Sequence, residues 1–375
     1  MSSNKLRVGV IFGGRSGEHE VSLRSASSVI AALDRNKYEV ILIGITKSGR
    51  WIVGNVTEAL EGGASCAATP AVLLPDPQTS GLMEMEVADK QPTALTEATH
   101  LDVVFPVLHG PYGEDGTVQG LLELAGLAYV GAGVVGSAVG MDKAIFKAVM
   151  QANDIPIVPW KLVLTSSWLK DSEKIAADIE GSLEYPLFTK PANLGSSVGI
   201  SKCSDRKELI AGINEATRYD RRVIVEKGID GRELEVSVLG NDSPIASVVG
   251  EIKPRRSFYD YIAKYVSDDS ELVIPAQLDR STSDSIRQMA VEAFKAIDCA
   301  GLGRADFLLE KGSNKVYINE INTIPGFTEI SMYSKLWAAS GVRYSELLDR
   351  LISLAIERHQ TNTAFETTFA VEENG

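Results

Sequence analysis

Two short runs near the C-terminal end have the residue types and spacing that chemistry on a polyphosphate requires. Arg304 and Asp306 stand two apart in GRADF (303–307), and Glu320 and Asn322 stand two apart in VYINEIN (316–322). Residues two apart share one face of a strand, so pairing the two runs would set Asp306 beside Glu320 and Asn322. Two carboxylates and an amide oxygen are hard donors suited to Mg²⁺, which usually takes part of its shell from a bound phosphate. Taken alone, a solvated strand face with an Arg304 ion pair explains these residues equally well.

Other runs fit the same chemistry more weakly. Lys190 closes an apolar run and is followed by PANLGSSVG (191–199), a small, mobile loop able to lay N–H groups and hydroxyls over phosphates. It is not a P-loop, because GxxxxGK[ST] occurs nowhere in the chain, and by itself it reads as an ordinary hairpin loop. Val225-Glu226-Lys227 offers a strand edge that can read a purine, with Glu233 placed for ribose hydroxyls. GAGVVG (131–136) matches a dinucleotide fingerprint. The acidic residue that should end the next strand is missing, however, since IPIVPW ends in Pro159-Trp160. The run is read as a tight inter-domain linker.

The elements that must position these residues follow from periodicity and breakers. A strand over 7–12, glycines 13 and 14, a helix capped by Ser22 and running to Leu33, and a strand over 38–45 predict a βαβ unit of a parallel sheet. Residues 61–100, rich in Gly, Ala, Thr and Pro, read as an irregular excursion before a buried strand over 101–108. A helix is expected over 141–152, then strands over 155–164, 185–191 and 223–227. Further on, strands dominate 234–249 and 302–322, with helices over 282–296 and 344–358. Residues 251–271 read as a long polar loop and 360–375 as a disordered tail.

Composition narrows the function classes. The 375 residues suggest two or three domains, and a 44% hydrophobic share suffices for real cores. A net charge of −13 argues against non-specific nucleic-acid or anionic-membrane binding. Phe258, Tyr259, Tyr261 and Tyr265 interleave with bases, but five acids offset them, so RNA stacking is disfavoured. Cys66, Cys203 and Cys299 form neither a disulfide framework nor a CxxC pair, and the four histidines lack zinc spacing. With no signal peptide and no spanning segment, the reading is a soluble cytoplasmic protein.

The runs GGRSGEHEVS (13–22), LHGPYGEDG (108–116), MDK (141–143), TKPANLGSSVG (189–199), EK (226–227), SFYDYIAKY (257–265), GRADF (303–307) and NEINTIPGFTEIS (319–331) together resemble the D-alanine–D-alanine ligases. The likeness covers the chain from Gly13 to about Arg350. It implies a three-domain ATP-grasp fold of α/β class, with an N-terminal Rossmann-like domain (1–135), a central subdomain (136–228), a C-terminal subdomain (229–360) and a tail (361–375). By the same resemblance, Lys143, Lys190, Ser196, Ser197, Glu226, Lys227, Ile229, Glu233, Phe258, Lys264 and Asn319 would hold ATP, with Lys264 at the transferred phosphate. Asp306, Glu320 and Asn322 would hold two Mg²⁺, with Mn²⁺ able to substitute. Glu20 would bind the first D-alanine's ammonium, with His109 close by, and Ser331 and Met332 the second D-alanine's carboxylate. Arg304 and the Gly326 N–H would stabilise the oxyanion, and Glu20, Ser196 and Tyr265 would form a hydrogen-bonded triad. Ile330 departs from relatives with a polar residue there, which leaves the pocket's polarity open.

The implied reaction joins two D-alanines through an acyl phosphate for peptidoglycan synthesis, in a homodimer. Plainer readings stand beside it: Glu20 as a favourable charge at a helix N-terminus, and His109 as a satisfied polar residue at a strand end. Two alternatives remain. A hydroxy acid such as D-lactate as second substrate is disfavoured by SFYDYIAKY. A silent ATP-binding module is disfavoured by the intact set Lys264, Arg304, Asp306, Glu320 and Asn322.

Overall fold

The computed structural model describes residues 5–57, 68–79, 81–88, 91–254 and 270–366. It contains three sheets. The first begins with β1 (Leu6–Gly13), α1 (His19–Ala32) and β2 (Tyr38–Ile45), the expected parallel unit. β3 (Trp51–Gly54), β4 (Ala68–Leu73), β5 (Gly81–Ala88) and β6 (Gln91–His100) extend it antiparallel, and β7 (Val103–Leu108) pairs parallel to β1 on the other side. The order is β6-β5-β4-β3-β2-β1-β7, so only the β2-β1-β7 part is parallel.

Three expectations fail in this sheet. Residues 68–100 are not an irregular excursion but hold three strands, and the Met-Glu-Met-Glu alternation within β5 was a readable period-2 signal. Ser22 does not cap α1. Glu18 holds the N-cap position, while buried Ser22 accepts a hydrogen bond from the Gly13 N–H (2.8 Å) and donates to the Val107 carbonyl, tying helix to sheet. The strand predicted from 101 begins at Val103.

α2 (Thr117–Leu124), α3 (Val134–Met141) and α4 (Lys143–Ala152) lead to the second sheet. Gly133 is the N-cap of α3, so the GAGVVG run opens a helix, and Gly136 lies against the backbone of Asp298 and Cys299 where a Cβ would not fit. Asp142 caps α4 by accepting from the Ala144 and Ile145 N–H groups, which fixes the helix that carries Lys143 and Lys147. β8 (Trp160–Leu164), α5 (Thr165–Trp168), α6 (Ser172–Glu180), β9 (Leu187–Pro191), β10 (Ser201–Cys203), α7 (Arg206–Ala216) and β11 (Arg222–Lys227) follow. Their sheet has the order β10-β9-β11-β8 and its own core of Trp168, Ile179, Leu187, Leu209, Ile213 and Val225. Residues 155–159, expected to be strand, make only an isolated bridge at Ile157.

The third sheet has the order β14-β13-β12-β15-β16. Its strands are β12 (Gly231–Gly240), β13 (Ile245–Pro254), β14 (Ser270–Val273), β15 (Gly301–Glu310) and β16 (Val316–Asn322). β13 and β14 take both ends of the stretch read as a loop over 251–271, and residues 255–269 lie outside the described residues. α8 (Arg280–Ala296), capped by Asp279, packs on this sheet with Phe294, Phe307 and Ile318 in one core. α9 (Met332–Ala339) and α10 (Tyr344–Thr363) close the chain. The helix therefore runs through residues 360–363, which were expected to be disordered. α10 buries Leu347, Leu348, Leu351 and Ile352 in the same core as Val8, Val10 and Val107, so the last helix among the described residues helps to build the first sheet. Among the described residues no helix is long and apolar enough to cross a membrane.

Candidate active site

The β15–β16 hairpin brings the first cluster together as expected, with Asp306 opposite Glu320 and Arg304 opposite Asn322. The register contains one irregularity. Asp306 pairs with Glu320 but Phe307 with Ile318, so Asn319 is the extra residue of a β-bulge. The bulge lets β16 bury Ile318 and Ile321, three apart, against Phe307 and Ala305. In unbroken alternation Ile318 and Glu320 would share a face. The bulge thus keeps Ile318 in the core while turning Glu320 and Asn322 toward Asp306.

The arginine fork donates to both Asp306 oxygens, Nε and Nη2 each at 2.7 Å, and Asn322 Nδ2 donates to the same carboxylate at 3.0 Å. Glu235 of β12 lies opposite Asp306 on the other side, 3.0 Å from Arg304 Nε. Three carboxylates, Glu235, Asp306 and Glu320, therefore form a row across three strands. Glu235 was missed in the sequence, although it alternates with Glu233 in GRELEVS (231–237). Among the described residues no group of three or more His, Cys, Asp or Glu converges as a complete metal cage. A cation on the Asp306, Glu320 and Asn322 oxygens would need further ligands, as an ion bound together with phosphate has.

Facing the Glu320 end of this row are Lys190 of the second sheet and Lys143 and Lys147 of α4. Glu226 is 3% exposed and lies between Lys190 Nζ (2.7 Å) and Lys147 Nζ (3.0 Å). Burial opposes its ionisation, but Lys147 and Lys190 outweigh it and pull the carboxyl down to about 2. Burial also works against the Lys190 charge, yet Glu226 raises it above the usual range, whereas burial wins at Lys147 and lowers it. Lys147 had no sequence assignment. The available sign was a lysine on the apolar face of α4, in line with Lys143 and Met150. Lys143 Nζ donates to the Leu194 carbonyl at 2.7 Å and lies 3.8 Å from Glu320, spanning the second and third sheets. Lys227 faces outward to Glu184, Ile229 lies half-buried between β11 and β12, and Glu233 is half-buried on β12.

The glycine–serine loop reaches the first sheet. Ser196 and Ser197 both have φ in the left-handed region (53° and 59°), an uncommon conformation for residues with a side chain. The Ser196 hydroxyl donates to Glu18, not to Glu20. Glu20 is displaced by helix geometry: two residues on is more than half a turn round α1, and there its side chain is 58% exposed and pairs with Lys47. Glu18 thus stands where Glu20 was expected. Beside it lies a second unassigned acid, Glu114, which accepts from the Gly110 N–H at 2.5 Å. Burial, and after it the charge of Glu18, push the Glu114 carboxyl well above the usual carboxylate range.

His109 is buried at the end of β7, and both of its ring nitrogens have protein partners: Nδ1 the Ile324 carbonyl (3.1 Å) and Nε2 the Ser25 hydroxyl (3.2 Å). Ser331 is the N-cap of α9, and its Oγ lies 2.8 Å from Thr328 Oγ1 and accepts from the Thr328 N–H at 3.0 Å. The Met332 side chain packs in a core with Ile252 and Leu336, so only its backbone N–H, at the first helical position, is available to an anion. Phe258, Lys264 and Tyr265 lie outside the described residues.

Comparison with known proteins agrees with this geometry. The family model of the D-Ala–D-Ala ligase N-terminus matches residues 7–132, and that of the C-terminus matches 149–353. A D-alanine–D-alanine ligase of Heliobacterium modesticaldum is 52% identical over 357 residues, covering 95% of this chain and 96% of its own. One of Natranaerobius thermophilus is 50% identical, covering 98% and 99%. Among solved structures, the D-alanine–D-alanine ligase of Coxiella burnetii is 38% identical with a TM-score of 0.81, covering 96% of this chain and 97% of its own. A D-Ala:D-Ser ligase of Enterococcus faecalis is 37% identical with a TM-score of 0.82, covering 94% and 100%. The chain thus belongs to the D-alanine–D-alanine ligase family, ATP-dependent carboxylate–amine ligases of the ATP-grasp fold.

Proposed function

We propose that this chain joins two D-alanine molecules into D-alanyl-D-alanine, a peptidoglycan precursor, with ATP as phosphoryl donor. The observation that carries the reading is the row Glu235–Asp306–Glu320, edged by Arg304 and faced by Lys143 and Lys190. A carboxylate does not react with an amine unaided, because its oxygen is a poor leaving group. Transfer of the γ-phosphoryl group to a carboxylate oxygen of the first D-alanine gives an acyl phosphate and ADP. The amine of the second D-alanine then attacks the acyl carbon. The C–N bond forms, the C–O bond to phosphate breaks, and the amine loses a proton.

Each step assigns work to named residues. Lys143 and Lys190 hold phosphate oxygens, and Ser196 and Ser197 cover them. Glu226, Lys227, Ile229, Glu233 and Asn319 take the rest of the nucleotide. Glu18, in place of Glu20, holds the first substrate's ammonium. Arg304 and the Gly326 N–H face the oxygen on which charge develops. Ser331 and the N-terminus of α9 hold the second substrate's carboxylate. Lys264 and Tyr265 keep their roles at the transferred phosphate and beside Ser196, and Phe258 its role at the nucleotide. Asp306, Glu320 and Asn322 suit two Mg²⁺ ions, or Mn²⁺ in their place, which when bound neutralise charge on the phosphoryl group. The proposal extends to a cytoplasmic homodimer with domain boundaries near residues 135, 228 and 360.

Phosphate release and dipeptide formation, measured with D-alanine, L-alanine, D-serine or D-lactate, test it. Turnover is expected to require ATP, Mg²⁺ and D-alanine together. Equal turnover with L-alanine, or preference for D-serine or D-lactate as acceptor, would overturn the assignment.

A further inference from the structure

The turn Ile324-Pro325-Gly326-Phe327, which carries the Gly326 N–H, is held at both ends by the N-terminal unit, through His109 just after β7 and Ser25 on α1. His109 Nδ1 faces the Ile324 carbonyl at 3.1 Å. A carbonyl only accepts, so Nδ1 carries the proton. Burial pushes the imidazole pKa below its usual range, against the opposing effects of Glu18 and the Ile324 carbonyl, which favours the neutral ring. Nε2 is then an acceptor and takes the Ser25 hydroxyl proton at 3.2 Å. The Ser25 oxygen in turn accepts from the Phe327 N–H at 3.4 Å. The proton directions run in one sense, from Phe327 N–H to Ser25, from Ser25 to His109, and from His109 to the Ile324 carbonyl. The relay thus begins and ends on the two residues that flank Pro325-Gly326.

The remaining contacts anchor the same turn. The Phe327 ring is 1% exposed, with Phe105, Tyr333 and Tyr344 around it at centroid distances of 5.6–5.9 Å, and its carbonyl accepts from the Tyr344 hydroxyl at 2.9 Å.

We infer that Ser25 and His109 are positioning residues whose hydrogen-bonded relay fixes the Ile324–Phe327 turn and aims the Gly326 N–H at the developing oxyanion. His109 is therefore not a substrate ligand, since both ring nitrogens are engaged within the protein. The inference rests on the proposed ligation. It predicts a particular kinetic signature, because a donor that is misaimed loses transition-state stabilisation and leaves ground-state binding in place.

The test compares Ser25→Ala, His109→Asn and His109→Leu with the wild type. Initial rates are measured against ATP and D-alanine, and the melting temperature confirms that each variant is folded. Ser25→Ala is expected to lower kcat by roughly tenfold or more, while each KM stays within about twofold. His109→Asn, whose amide nitrogen can replace the Nδ1–H donor, is expected to keep more kcat than His109→Leu. A raised KM for D-alanine with kcat preserved in the His109 variants would make His109 a substrate ligand and overturn the inference. Normal kcat in Ser25→Ala would do the same. If Ser25→Ala does not fold, the His109 pair still decides: equal kcat in the two variants overturns the relay. A wild type that forms no dipeptide from D-alanine would instead refute the proposed function, so the two failures are distinguishable.

Discussion

Glu226, buried, and Glu114, half-buried, lie in the same active-site region, and their carboxyls are driven in opposite directions. Glu226 lies between Lys147 and Lys190 and is pulled down to about 2. Glu114 has burial and Glu18 against it and is pushed well above the usual range. Burial penalises the charged form at both, so the neighbours decide the outcome. At the end proposed for the nucleotide, two lysines bracket Glu226 and hold its charge. At the end proposed for the amino acid, Glu18 and Glu114 lie close enough to repel, an arrangement that would suit an incoming ammonium.

The largest expected effect comes from unbalancing the nucleotide end. Lys147→Met leaves buried Glu226 with one cation instead of two, and breaking a buried pair in this way costs about 3–5 kcal/mol. Unfolding by urea should show a loss on that scale, with much of it recovered in Lys147→Met/Glu226→Gln. No recovery in the double variant would mean that Lys147 acts by packing alone.

A smaller effect separates the two acids on α1. Glu18→Gln removes the charge next to Ser196 and should lower turnover by roughly 10- to 150-fold, as a charge-assisted hydrogen bond worth ~1.5–3 kcal/mol is lost. Glu20→Gln, at an exposed ion pair with Lys47, should stay within about twofold. Equal losses in the two would return Glu20 to the site.

The smallest effects are pH slopes of opposite sign. Glu226 has a folded value below its ordinary 4.5, so its contribution to stability is present above 4.5 and is lost as pH falls toward about 2. Glu114 has a raised folded value, so its contribution is complete below 4.5 and is lost as pH rises through the folded value. Each slope is at most about 1.4 kcal/mol per pH unit. Glu114→Gln, which cannot ionise, should leave stability near neutrality unchanged or raise it, and flatten the decline as pH rises above 4.5. Melting curves that fall equally with pH in wild type and variant would place Glu114 among the ionised acids.

How far the sequence reaches depends on which periodicity carries the residue. Alternation placed Arg304 with Asp306 and Glu320 with Asn322, and pairing did the rest. On α1 the same motif, GGRSGEHEVS, offers two glutamates within three residues, and only the helix start distinguishes the one facing Ser196 from the one facing Lys47. That start was misplaced because Ser22 looked like a cap, when its hydroxyl is spent on the Gly13 N–H and the Val107 carbonyl. Glu114, Lys147 and Glu235 escaped because the part a charge plays is decided by its neighbours, and those come from other elements. The antiparallel half of the first sheet was hidden by a Gly-, Ala- and Thr-rich composition that masked the alternation of β5.

The bulge at Asn319 sets the phase of β16, and phase is counted in residues. Most substitutions at position 319 leave the count alone. Deleting the residue would leave Ile318 and Glu320 adjacent in an uninterrupted hairpin, Ile318 still opposite Phe307 and Glu320 still opposite Asp306. The core and the carboxylates would both keep their faces. What the bulge adds is therefore Asn319 itself, a half-buried amide spliced into the strand beside Glu320 without turning either neighbour off its face.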